Sequence, residues 1–117
     1  MKLYITTTFS PSMLGEGLKA EVLPLSGRQL SALLLEVALG SYQVVGAVGH
    51  ENTAFLLEKN LGLRGLYCRE PISLEEGDRV LAAIPQFRPP QTREFTDKEV
   101  AEARFRYFLV ITSRSVG

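Results

Sequence analysis

Val44-Val45-Gly46-Ala47-Val48-Gly49-His50-Glu51-Asn52-Thr53-Ala54-Phe55-Leu56-Leu57 is the stretch on which the reading of the fold turns. An apolar run stops at a glycine, polar groups follow, and apolar residues return in a cluster suited to a helix that runs to about Asn60, before Leu61-Gly62. The pattern predicts a strand feeding a helix N-terminus, with His50, the one histidine of the chain, at the junction. The first turn of a helix presents unpaired backbone N–H groups and the positive end of a dipole, which together hold anions. A histidine there has a proton to move, although on position alone an ordinary cap or packing residue is an equal alternative.

Toward the N-terminus, Leu30, Leu33, Leu34 and Val37 have helical spacing, yet Leu33 to Leu39 also reads as a buried strand. Gly40-Ser41 before Tyr42-Gln43-Val44-Val45 favours a hairpin, with strands over 32–39 and 42–48. Lys19 to Leu23 predicts a further strand, broken by Pro24-Leu25-Ser26-Gly27. Residues 2–6 alternate as a strand, and three threonines lead to Ser10, an N-cap placed before Pro11 at the first position of a short helical turn. The hydroxyls of Ser10 and Ser12 suit an anion, but capping alone also explains Ser10.

Toward the C-terminus, Leu66 to Cys68 is a short apolar piece, Pro71 to Gly77 is rich in turn residues, and Asp78 to Phe87 predicts a strand with Pro85 near its end. Arg88-Pro89-Pro90-Gln91-Thr92-Arg93-Glu94 predicts a loop, the kind of segment that closes over ligands or merely connects elements. Thr96-Asp97-Lys98-Glu99 is a capping box, with Phe95 and Val100 at staple positions, and it opens a helix over 97 to about 105. Phe105 to Ile111 returns as an aromatic and β-branched strand before a polar tail. The expected class is α/β: one domain over 1–117, a mixed sheet with a few packed helices.

Length and composition agree. A chain of 117 residues suits one domain, and 45% apolar with 22% charged residues is ordinary for a folded globule. Thirteen basic and thirteen acidic residues cancel, which argues against a long nucleic acid or an anionic membrane surface as partner. The late arginines share their half of the chain with acids, so a solvated mixed-charge surface is the plain reading of most. Cys68 is alone, which excludes an internal disulfide or a cysteine-based zinc cluster and fits a reducing cytoplasm. No metal or cofactor is expected. No Walker loop, GxGxxG, CxxC or HExxH motif is present, and no apolar run is long enough to span a membrane.

Three segments in order, Phe9-Ser10-Pro11-Ser12-Met13-Leu14, then Val48-Gly49-His50-Glu51-Asn52-Thr53, then Glu76-Gly77-Asp78 through Thr96-Asp97-Lys98-Glu99-Val100, resemble the ring nucleases of the viral type III anti-CRISPR family and their cellular relatives. The resemblance spans nearly the whole chain. It implies an intertwined homodimer, in the host cytoplasm if the protein is viral. This dimer would bind cyclic tetraadenylate, the second messenger of type III CRISPR defence, and cut it without a metal to linear diadenylate. The family's catalytic histidine falls on His50 and its active-site arginine on Arg88, while ligand contacts fall on Ser10 and Arg69. Ser12 and Thr53 are further candidates beside them. Three positions depart from the family pattern, one of them Thr8, which stands where an alanine is expected. Thr7 stands where an asparagine is expected and Gln91 where a glutamate is expected; both can hydrogen-bond a ligand, but Gln91 cannot act as a base near neutral pH.

The implied reaction is internal. A 2′-hydroxyl held in line attacks the neighbouring phosphate, forms a 2′,3′-cyclic phosphate and expels the 5′-oxygen, so the protein supplies alignment, charge stabilisation and a proton. Arg88 suits the second task and His50 the third. A non-cleaving sensor or sponge for the same ring is the first alternative, and a dimeric DNA-binding regulator the second, weakened by the neutral charge.

Overall fold

Side chains alternate along the first strand, β1 (Lys2–Thr6), and that alternation divides the molecule into two faces. In the computed structural model, which describes residues 1–87, 96–102 and 104–115, Leu3 and Ile5 point to one face and Tyr4 to the other. After a 3-10 turn (Pro11–Met13) come β2 (Leu18–Pro24), α1 (Gly27–Ala38), β3 (Gln43–Gly46) and α2 (Glu51–Leu61). The chain continues with β4 (Arg79–Pro85), α3 (Asp97–Glu102) and β5 (Phe105–Arg114). The five strands form one mixed sheet in the order β2-β5-β4-β1-β3. β1 pairs in parallel with β3 and β4, whereas β5 pairs antiparallel with β4 and β2.

Both long helices pack on the Leu3 face. Leu33 of α1 and Ala54, Leu57 and Leu61 of α2 join Leu3, Ile5, Leu81 and Ala83 in one buried cluster. On the other face Tyr4, Val80 and Val110 are covered by Leu74 and by the partly buried Phe9, Met13, Leu14 and Ile72 of two irregular segments. The expected class is thus observed: an α/β domain on a mixed sheet.

One expected element is corrected. Residues 32–39 are not a strand in a hairpin but the second half of α1, and three physical facts favour the helix. Ser26 and Gln29 form a reciprocal capping box, with the Ser26 N–H donating to Gln29 Oε1 at 2.8 Å and the Gln29 N–H donating to Ser26 Oγ at 3.2 Å. Leu30, Leu33, Leu34 and Val37 all face the core at helical spacing. Finally, β3 pairs in parallel with β1, which requires a crossover rather than a tight turn before it. The run looked continuous because Leu35 and Leu39 are apolar too, yet they face outward, 60% and 74% exposed.

At the late end, β5 is longer than expected and carries Thr112, Ser113 and Arg114 into pairing with β2. The capping box at Thr96 is present, with the Thr96 N–H donating to Glu99 Oε1 and the Glu99 N–H to Thr96 Oγ1. Phe95 of the expected staple lies outside the described residues.

Thr112 shows how the Glu76-Gly77-Asp78 turn is fixed to the sheet. Its hydroxyl, in a residue 2% exposed, lies 2.6 Å from the Asp78 carbonyl oxygen and 2.9 Å from that of Glu75. The Asp78 carboxylate in turn accepts from the Glu75 N–H. Thr112→Val keeps the shape and removes the donor, so urea titration should show a loss of about 1–3 kcal/mol.

Candidate functional site

Because β3, β1 and β4 run parallel, their carboxyl ends meet at one edge of the sheet, where Ile5 is level with Gly46 and Leu81. The chain crosses from β3 over β1 to β4, so the strand order reverses at β1. In open α/β sheets the crevice outside the strand ends at such a reversal is where ligands bind. Three segments leave the sheet at that end: Thr7-Thr8 after β1, Ala47 to His50 after β3, and Gln86-Phe87 after β4, which runs three residues beyond the level of Thr6 and Ala82.

His50 sits where the sequence placed it, at the N-cap of α2, with extended backbone angles of φ −122° and ψ 123°. Its carbonyl accepts the first helical hydrogen bond, from Ala54 N–H at 2.9 Å. Its side chain makes no cap hydrogen bond and the residue is exposed. The backbone therefore serves as cap while the imidazole is left toward solvent.

A second segment is held beside this junction. The Val48 N–H donates to Leu66 O and the Cys68 N–H to Val48 O, each at 3.0 Å, which pairs Tyr67 with Val48 in parallel. Two residues further on in each segment come His50, after a bend at Gly49, and Arg69, both exposed. Glu58 of α2 fixes the approach by accepting from the Leu66 N–H at 3.0 Å. Gly46 makes room for it, since a Cβ there would lie 2.5 Å from Gly65 O and 2.6 Å from Leu66 Cα. Sequence reading did not single out Gly46, although a glycine inside a strand is itself a signal of close backbone approach.

The remaining expected residues divide. Thr7 is half-buried just past β1, and the Thr8 N–H donates to Thr6 Oγ1 at 3.3 Å. Ser10 is an N-cap: its Oγ accepts from Ser12 N–H at 3.3 Å and lies 2.9 Å from Ser12 Oγ, so a ligand reaching these hydroxyls must share or displace that pair. Thr53 is 4% exposed in the first turn of α2 and offers little surface. Arg88 and Gln91 lie outside the described residues. Among the described residues, no group of three or more His, Cys, Asp or Glu side chains is arranged to hold a metal ion. No helix among them is long and apolar enough to cross a membrane.

Fold and edge together define a single-domain α/β protein with a mixed five-stranded sheet and a candidate crevice at the ends of its parallel strands. A family model described as STIV B116-like matches residues 3–108, and the chain belongs to that family. This supports the viral ring-nuclease-like resemblance read from the residues. Among solved structures, B116 of Sulfolobus turreted icosahedral virus is similar at 23% identity with a TM-score of 0.72, over 95% of this chain and 99% of that one. At that identity the likeness speaks for the fold. Among curated proteins none matches.

Proposed function

We propose that the protein is a metal-independent ring nuclease that cuts cyclic tetraadenylate to linear diadenylate and so switches off type III CRISPR signalling. The observation that carries this reading is the placement of His50, exposed and with a side chain that makes no cap hydrogen bond, at a helix N-terminus at the end of the sheet from which Thr7 and the chain leading to Arg88 also emerge. Membership of the STIV B116-like family supports it through the resemblance described above.

In the proposed reaction the substrate brings its own nucleophile. The 2′-oxygen bonds to the adjacent phosphorus, its proton passing to solvent; the bond from phosphorus to the 5′-oxygen breaks, and His50 gives that oxygen its proton. Arg88 offsets the charge growing on the phosphoryl oxygens, and the α2 N–H groups add to it. Thr7, Ser10, Ser12, Arg69 and Gln91 hold the ring in line.

The ring has a two-fold axis, so a homodimer presents paired sites to opposite phosphates. Strand β2 supports such pairing: it is a sheet edge whose Val22 and Leu23 are 50% and 36% exposed. The deciding experiment incubates the protein with cyclic tetraadenylate in EDTA. Diadenylate from the wild type but not from His50→Ala is expected. Tight binding without cutting favours a sensor, neither binding nor cutting overturns the reading, and a monomer at working concentration overturns the shared ring.

A further inference from the structure

Two aromatic side chains among the described residues are large and exposed, Phe55 and Tyr67, each 46% open. Their surroundings differ. Lys59 Nζ sits 5.4 Å from the centroid of the Phe55 ring and occupies one face of it. Tyr107, Phe87 and Phe105 are engaged with one another, and Tyr42 and Phe108 carry arginines. Over Tyr67 neither a ring nor a cation lies among the described residues.

Its position is fixed, although its ring is open. The backbone of Tyr67 is pinned on both sides, by Val48 N–H to Leu66 O and by Cys68 N–H to Val48 O, and Leu66 beside it is fully buried. The ring therefore projects from a rigid position beside Val48, two residues before His50 in the chain, a run of at most about 7 Å. Base and phosphate of one nucleotide hang from the same sugar, a separation of the same order. An unpaired base can accordingly stack where the ring is while its phosphate lies at the histidine. Burying an exposed tyrosine against a base gains contact area with few rotamers to freeze, and splayed bases are commonly held on such rings.

We infer that the Tyr67 ring is a stacking platform for a purine base of the ligand bound at the His50 edge, an inference that rests on the proposed reading. Tyr67 then sets affinity and base preference and takes no part in proton transfer. A face worth about 1–3 kcal/mol per stacked base corresponds to a change of roughly 5- to 150-fold in binding.

The test uses the full-length protein with cyclic tetraadenylate and cyclic tetrauridylate as probes, comparing wild type, Tyr67→Phe and Tyr67→Ala after matching their melting curves. Tyr67→Phe should bind the adenine ring like the wild type. Tyr67→Ala should raise Kd and KM for it by roughly 5- to 150-fold with kcat at saturation unchanged, and should lose less against the uracil ring, whose bases stack more weakly. Equal affinity of Tyr67→Ala and wild type overturns the platform while leaving the proposed function standing, as does a fall in kcat alone. A wild type that neither binds nor cuts the adenine ring overturns the proposed function and this inference with it.

Discussion

His50→Ala should lower the rate of ring cleavage by about 100- to 10,000-fold, the range that a positioned general acid contributes. The size of the loss follows from the leaving group: without a proton the 5′-oxygen departs as an alkoxide, and none of the other proposed residues is poised to supply one. Binding should change little, because the phosphate still meets the N–H groups of α2. Folding should change little as well. The side chain is exposed and makes no cap hydrogen bond, while the backbone carbonyl that accepts from Ala54 survives the substitution. Single-turnover cleavage at saturating cyclic tetraadenylate, beside a direct binding titration, reads the two effects separately. Full activity in the variant removes His50 from the mechanism.

Gly46→Ala should be the most damaging of the small substitutions for stability. The added Cβ meets backbone atoms only, at 2.5 Å (Gly65 O), 2.6 Å (Leu66 Cα) and 2.8 Å (Leu66 O), so no side chain can rotate away. Either β3 or the 65–68 segment must shift, and overpacking of this kind costs up to about 3 kcal/mol or more. A shift of the segment weakens the bonds of Leu66 to Val48 and Glu58 and moves Tyr67 from beside Val48, at the junction that leads to His50. The expected result is therefore a lower urea midpoint together with weaker ring binding. A midpoint equal to the wild type shows that the close approach is not maintained in solution. Gly49→Ala is the control: it sits three residues away with open space around its Cβ position.

Both variants concern one junction, and the sequence reached its two halves unequally. His50 was legible because the change from an apolar run to polar groups and back is a local pattern, read within a dozen residues. The capping boxes at Ser26 and Thr96 are equally local, and both formed. The first lies in Pro24-Leu25-Ser26-Gly27, a segment that in sequence reads equally as a strand break, which leaves 32–39 open to a strand reading. Leu35 and Leu39 strengthen that strand pattern, since an apolar residue facing solvent looks in sequence like one facing a core.

What the sequence by itself determined is what nearest neighbours decide: the α/β class, the strand before His50, the helix after it, and the capped turn at Ser10. What only the tertiary structure decided is which distant segments share an edge. The parallel pairing of β1 with β3 and β4 puts Thr7 and His50 at one end of the sheet, and the Val48–Tyr67 pairing holds the segment that leads to Arg69 beside the chain that leads to His50. Those contacts join residues far apart in the chain through backbone hydrogen bonds, which nearly every residue type can make, so side-chain identity leaves no mark of them. Gly46 is the exception, because close approach of two backbones excludes every side chain larger than hydrogen.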